Sequence, residues 1–411
     1  MLSQKTIDIV KSTVPVLEKH GEDITSCFYQ MMFKDHPELL NIFNQTNQKQ
    51  GKQPRALAAS VYAAAQHIDN LEAILPVVKQ IAHKHRSLEI KPEHYPIVGK
   101  YLLLAIKEVL QDAATDDIIE AWGEAYGVIA DAFISVEAGM YEEVKNVEGG
   151  WNGFRNFIVD KKVKESDVIT SFYLKPEDGQ AIAPFEAGQY ISVKITIPGE
   201  EYTHMRQYSL SDAVNGSYYR ISVKRETNNE APDGIVSNFL HNELNEGSVI
   251  EITAPAGEFT LDTNKDTPVV FISGGVGQTP LVSMLKSVTA LQPERNVTFI
   301  HAAINGNMHA LKDEVAELAS KNENVHSYVC YEQPTEADKE ACTFQKEGYV
   351  DREWLEKLIP SKDAEVYFCG PVPFMRAVNS ALKELGMKEE NIHFEFFGPA
   401  GSLEAPQETT V

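Results

Sequence analysis

Residues 268–285 read PVVFISGGVGQTPLVSML: an unbroken apolar stretch, a glycine-rich turn, then a helix-patterned stretch. An apolar run without alternation predicts a strand covered on both faces, which belongs in a parallel sheet. Gly274, Gly275 and Gly277 permit positive φ and a close approach of backbone amides to a ligand. With Val276, Gln278 and Thr279 they make a candidate pyrophosphate site at the start of the helix. The pattern departs from strict G-x-G-x-x-G because Pro280 stands at the third glycine, so an ordinary strand-to-helix turn is the competing reading. Around this stretch, the runs NVTFIHA, VHSYV, EVYFCG and IHFEFF alternate with helical LVSMLKSVTAL, LKDEVAELASK and PFMRAVNSALKELG, which predicts βαβ units. Cys369-Gly370-Pro371 closes EVYF at the same carboxyl edge of the sheet, where open α/β sheets take their ligands.

Toward the N-terminus the texture changes. ITSFYL, YISVKI, YYRISVKR and SVIEITAP alternate in the manner of antiparallel strands and predict a barrel-like domain. Within it, Arg206-Gln207-Tyr208-Ser209 offers a phosphate partner, a stacking face and a hydroxyl for a ring nitrogen. A plain strand with one exposed arginine is the alternative. Gly188-Gln189-Tyr190 opens an upstream strand, and Gly234-Ile235-Val236-Ser237 starts a helix whose free amides suit a diphosphate. Before the glycine-rich break VEGGWNGF (147–154), residues 1–145 carry apolar positions at three and four spacing and predict helix throughout. Gly21-Glu22-Asp23, Asp35-His36-Pro37 and residues 114–117 read as turns, and the Gln/Asn-rich patch 41–53 as a loop.

The 411 residues suffice for two or three domains. With 37 Lys plus Arg against 60 Asp plus Glu, the net charge of −23 disfavours nucleic acid and anionic membrane surfaces as partners. The imbalance is spread along the chain, 14 basic against 21 acidic in residues 1–150 and 23 against 39 beyond, so no acidic tail explains it. Cys27, Cys330, Cys342 and Cys369 form no C-x-x-C pair, which predicts reduced thiols and a cytoplasmic chain without a zinc site. The start lacks the apolar core of a signal peptide, and no apolar run is long enough to span a bilayer.

Five of the 12 histidines precede residue 90. In LEAILPVVKQIAHKHRSL the apolar stripe Leu71, Leu75, Val78, Ala82, His85 turns His85 inward, while His83 falls with Lys79 and Arg86 on the face read as wet. A satisfied core histidine is the ordinary reading. Two residues weigh against it. Tyr95, between Pro92 and Pro96, can reach the imidazole, and Glu137 lies on the inward stripe Tyr126, Ala130, Phe133, Glu137. A carboxylate aimed at a core needs a partner, and a histidine Nδ1–H is a natural one.

With these motifs in hand, the C-terminal two thirds resembles the ferredoxin reductase-like flavoproteins, a Greek-key barrel for FAD followed by an α/β domain for a nicotinamide nucleotide. The N-terminal domain resembles a globin, through Phe28-Tyr29, Ile42-Phe43-Asn44, Gln53 with Leu57, Lys84-His85 followed by KPEHYPIVG, and AWGEAYGVIADAFI. HFEFFGP (393–399) matches a terminal flavin-contacting segment, and the whole chain resembles flavohemoglobin. That implies a multidomain fold: an all-α globin over 1–138, a linker over 139–150, the antiparallel barrel over 151–262 and the parallel α/β domain over 263–411.

The resemblance also implies haem b on His85, with Tyr95 and Glu137 as a relay that raises its basicity. It implies Tyr29, Phe43, Gln53 and Leu57 on the distal side. FAD would contact Tyr190, Arg206, Gln207, Tyr208, Ser209, Gly234, Ile235, Val236, Ser237, Phe396, Phe397, Gly398 and Pro399. NADH or NADPH would contact Gly274 to Thr279 and Cys369-Gly370-Pro371, while Lys84 and Glu395 would tune the redox centres. The implied activity is nitric oxide dioxygenation: NAD(P)H reduces FAD, FAD reduces the haem iron, and haem-bound O2 converts NO to nitrate. The alternative is an O2-binding or gas-sensing haemoprotein whose reductase keeps the iron ferrous. The absence of an arginine in FIHAAINGN leans toward NADH. The chain reads as a monomer acting on small molecules, with no stable membrane association, and Leu57 with its apolar neighbours is compatible with a lipid in the distal pocket.

Overall fold

The computed structural model describes residues 2–227, 233–398 and 403. Seven helices come first: α1 (Gln4–Ser12), α2 (Val14–Asp35), α3 (Gln45–Lys49), α4 (Lys52–Gln66), α5 (Leu75–Ser87), α6 (His94–Leu110) and α7 (Asp116–Asn146). Pro15 and Pro76 stand in the first turns of α2 and α5, where a missing N–H costs nothing. The helices enclose one apolar core built around Ile24, Phe28, Met32, Tyr101, Leu102 and Trp122. Here the structure corrects four readings. α2 runs unbroken through Gly21-Glu22-Asp23, because Gly21 is where α4 comes close: a Cβ there would lie 3.4 Å from that of Ala58. The patch 41–53 contains α3, capped by the Asn44 side chain accepting from the Thr46 and Asn47 amides. Leu75 is 38% exposed at the start of α5, whereas Arg86, read as wet, is 5% exposed. Residues 139–146, a linker by the implied domain bounds, are the last two turns of α7, as the helical pattern read to 145 predicts.

The antiparallel sheet follows: β1 (Arg155–Lys164), β2 (Ile169–Pro176), β3 (Tyr190–Ile195), β4 (His204–Ser209), β5 (Tyr219–Lys224), then α8 (Ile235–Asn242) and β6 (Val249–Ile252). Its order is β4-β3-β6-β1-β2-β5. The ends meet, since Leu210 bridges Ile221 and the Ser211 amide donates to the Arg220 carbonyl at 2.9 Å, which closes the sheet into a barrel.

The rest alternates strand and helix: β7 (Val269–Gly274), α9 (Gln278–Leu291), β8 (Val297–Ala303), α10 (Lys312–Lys321), β9 (Val325–Tyr331), α11 (Glu336–Ala341), β10 (Lys346–Glu347), α12 (Arg352–Leu358), β11 (Glu365–Cys369), α13 (Val372–Glu384) and β12 (Ile392–Glu395). All pairings are parallel, in the order β10-β9-β8-β7-β11-β12. Every residue of β7 and β11 is buried. The connections reverse direction between β7 and β11, and at such a switch point the carboxyl ends of two strands open a crevice.

By internal contacts the chain forms two units. The first holds Met1–Phe154 with Lys194–Arg206 and Gly398; the second holds Arg155–Val193 and Gln207–Phe397. Among the described residues no helix is long and apolar enough to cross a membrane.

Candidate active site

In the helical unit the site is built on the face of α7. Tyr126, Glu137 and Tyr141 recur at helical spacing and hold the segment that joins α5 to α6. The Tyr126 hydroxyl donates to the Tyr95 carbonyl at 2.6 Å and the Tyr141 hydroxyl to the Ile90 carbonyl at 2.9 Å. Gly99 makes room for the Tyr126 ring, which a Cβ would meet at 2.5 Å. Between these supports, His85 Nδ1 lies 2.7 Å from Glu137 Oε1 and 3.2 Å from the Tyr95 hydroxyl, which itself donates to Glu137 Oε1 at 2.6 Å. Glu137 is 3% exposed. Burial and the adjacent carboxylate push the Tyr95 phenol well above its ordinary range, so it stays a donor. With Nδ1 committed to a carboxylate, the neutral tautomer presents its Nε2 lone pair outward. Among the described residues no cluster of three His, Cys, Asp or Glu side chains could hold a metal ion. An outward Nε2 lone pair suits His85 to ligate a porphyrin iron, which carries its own remaining donors.

Tyr29, 6% exposed, packs among Phe28, Phe33 and Phe43, with ring centroids 4.7, 5.6 and 5.7 Å away. Burial raises its phenol, against the opposing pull of the Gln53 and Gln48 amides. Leu57 and Phe43 are partly buried against the same core. Gln48, absent from the sequence reading, brings a buried Nε2 with no hydrogen-bond partner of good geometry. A polar ligand facing Tyr29 would satisfy it. The only signal in the sequence was Asn44 as a helix cap, which would have made the patch a helix and turned Gln48 inward. Lys84 Nζ donates to the Gly398 carbonyl at 2.7 Å within this unit.

In the second unit, the Gly-rich turn and Cys369-Gly370-Pro371 meet at the crevice between β7 and β11. Gly275 has φ +54°, and a Cβ on Gly277 would lie 2.3 Å from the Cys369 carbonyl oxygen, so the two turns touch through a missing side chain. The Phe374 ring covers Gly274 and Gly370. Thr279 Oγ1 donates to the Val276 carbonyl, and both ends of the fully buried Gln278 amide lack partners. Two unsatisfied groups in the first turn of α9, beside the crevice, fit a ligand with its own donors and acceptors. The Cys369 thiol donates to the Glu395 carbonyl at 3.3 Å, its register partner on β12, and burial holds it protonated.

The flavin candidates fall on β3, on β4, at the start of α8 and after β12. The Leu210 amide, just past Ser209, donates to Gln189 O, and the Tyr190 ring covers Gly257, where a Cβ would meet it at 2.9 Å. Ser209 is buried, with Gln207 and Tyr208 half-buried. Gly234 caps α8 without a side-chain hydrogen bond, leaving the first-turn amides of Ile235, Val236 and Ser237 for an anion. Phe396 is half-buried and Phe397 is exposed after β12. Pro399 lies outside the described residues.

Comparison with known proteins agrees with this division. Family models match a Globin over residues 26–133, an Oxidoreductase FAD-binding domain over 156–261 and an Oxidoreductase NAD-binding domain over 271–380. The chain is 62% identical over 404 residues to a flavohemoprotein of Bacillus thuringiensis subsp. konkukian, covering 98% of this chain and 100% of that one. The chain belongs to the flavohemoprotein family. A Bacillus subtilis flavohemoprotein is 56% identical, with 98% and 99% covered. Among solved structures, a flavohemoglobin from Malassezia yamatoensis with bound FAD and heme superposes with a TM-score of 0.85 at 29% identity, covering 97% and 100%. The FAD/NAD binding domain of a nitric oxide dioxygenase from Vibrio cholerae aligns with 60% of the chain and 99% of its own, at 37% identity and a TM-score of 0.55. This flavohemoprotein thus combines a globin with FAD- and NAD-binding oxidoreductase domains.

Proposed function

We propose that this flavohemoprotein is a NAD(P)H-dependent nitric oxide dioxygenase that converts NO and O2 to nitrate. When bound, the nicotinamide supplies electrons in pairs, the flavin divides them, and the haem presents O2 to NO. His85 would hold the iron through Nε2. Its Nδ1–H donates to Glu137, and an anionic partner on that side makes the imidazole a stronger electron donor. Tyr95 fixes the Glu137 oxygen that accepts this hydrogen bond. On the opposite side Tyr29, kept neutral by burial, donates a hydrogen bond, Gln53 and Gln48 add amide donors, and Phe43 and Leu57 exclude water. Gln207 to Ser209, Tyr190 and the α8 amides would hold FAD, and the crevice of Gly274 to Thr279 and Cys369 to Pro371 would hold the nucleotide.

The observation that carries this reading is the 2.7 Å pairing of His85 with a carboxylate that is 3% exposed. A buried carboxylate is costly, and reversible O2 storage has no need of it. Adding NO aerobically with NADH should give sustained NADH consumption and matching nitrate. A single stoichiometric burst would indicate a carrier, and NADH-driven activity surviving His85→Ala would indicate a flavin reductase.

A further inference from the structure

Arg220, on β5, is 1% exposed, one of the largest fully buried side chains. Its guanidinium meets Glu314 of α10 with both forks, Nη1 to Oε1 at 2.5 Å and Nη2 to Oε2 at 3.1 Å. It also donates to the Ser211 carbonyl and, through Nε, to Ser211 Oγ at 3.2 Å, and lies 3.7 Å from Asp212 Oδ2. Lys286 of α9 completes the ring, 2.7 Å from Asp212 Oδ1 and 2.5 Å from Glu314 Oε2. Ser283, one turn earlier on α9, donates to the Asp212 carbonyl at 2.7 Å, and the Tyr218 hydroxyl donates to Asp212 Oδ2. Two cations and two carboxylates thus close a neutral quartet inside the second unit.

Its position gives it meaning. Asp212 is three residues past Ser209, where the flavin candidates end. Ser283 and Lys286 lie on the helix that begins at Gln278, the nucleotide candidate. The quartet therefore joins the chain beneath one site to the helix beneath the other. Such an arrangement is weak evidence for stability, since apolar residues often replace buried ion pairs without loss, but it constrains geometry strongly. Each pairing weakens with separation, and removing one member leaves the buried guanidinium and its partners uncompensated.

We propose that Arg220, Asp212, Lys286 and Glu314 set the spacing between the flavin and the nicotinamide, and that they are positioning residues for hydride transfer. In that step the C4–H bond of the dihydronicotinamide breaks, its hydrogen and both electrons pass to the flavin ring, and the nicotinamide leaves oxidised. The inference rests on the flavin and nucleotide assignments above, and a misplacement of about 1 Å can slow such a step up to about a hundredfold.

The test mixes haem- and FAD-loaded protein with NADH anaerobically and follows flavin bleaching. In Lys286→Met and Glu314→Gln the limiting rate should fall about tenfold or more, with FAD content and the flavin spectrum unchanged and half-saturation by NADH held within about twofold. Arg220→Lys keeps the charge but loses the fork, and should fall between Arg220→Met and the native chain. Hydrogen exchange over residues 207–213 and 283–290 should quicken in each variant. If Arg220→Met loses FAD, Lys286→Met decides, because it leaves the Arg220–Glu314 pair intact. Limiting rates equal to the native one in FAD-replete variants would overturn the proposal. A native flavin that NADH does not bleach would sink the proposed function instead; unchanged exchange in the variants would then still overturn the quartet's part.

Discussion

In the proposed reaction Tyr29 serves the bound gas and Glu137 serves His85, so the two roles can be tested separately. Tyr29 is neutral across the physiological range because burial raises its phenol, so toward a bound ligand it offers a hydroxyl rather than a negative charge. Tyr29→Phe removes one donor and leaves the packing with Phe28, Phe33 and Phe43. A single hydrogen bond to a partly charged acceptor is worth about 1.5 kcal/mol. O2 loss should therefore quicken about tenfold and nitrate turnover fall, as flash photolysis and an NO electrode would measure. Glu137→Gln keeps the shape and removes the charge. The imidazole then donates less electron density, the iron–histidine stretch should move to lower frequency in resonance Raman spectra, and the haem potential should rise. Gln48 was not legible in the sequence, because its inward aim follows from a five-residue helix hidden in a polar patch. His85 and Glu137 were legible, because polar groups on apolar stripes demand an explanation.

At the scale of elements, the glycine-rich turn shows why sequence alone left alternatives open. PVVFISGGVGQTP predicted strand, turn and helix, and β7 and α9 follow it. What the sequence could not reveal is that Gly277 is bare because the backbone after β11 presses against it, a contact between residues 92 positions apart along the chain (277 to 369). Gly277→Ala must push the turns apart. Overpacking of this kind costs about 1–3 kcal/mol. The loss should appear as a higher KM for NADH, while FAD content is unchanged because the barrel is not touched. Helix boundaries were harder to read than helix existence: Gly21 looked like a break and is a packing contact, and the end of α7 carried no stop signal before Gly149.

For the whole molecule, the buried histidines predict a stability profile. His301 and His309 stack with centroids 4.2 Å apart on the parallel-sheet domain. Burial, with the nearby Lys312 charge, pushes His309 down to about 3, and burial beside His309 holds His301 well below its ordinary value. The unfolded chain binds protons at both near pH 6.5, where the fold does not, so their contribution is present above that pH and is lost as pH falls toward 3. Urea midpoints should drop through this window, and His309→Phe, which keeps a ring in the stack, should flatten the drop. The continuity of α7 has a consequence for anyone who wishes to isolate the globin. Ending a fragment at 138 cuts a 31-residue helix one residue beyond Glu137, and the last turn of a helix frays. The severed end would be the very turn that holds His85. A fragment carried to 146 keeps two further turns as a splint, and should retain the proximal carboxylate contact that the shorter one loses.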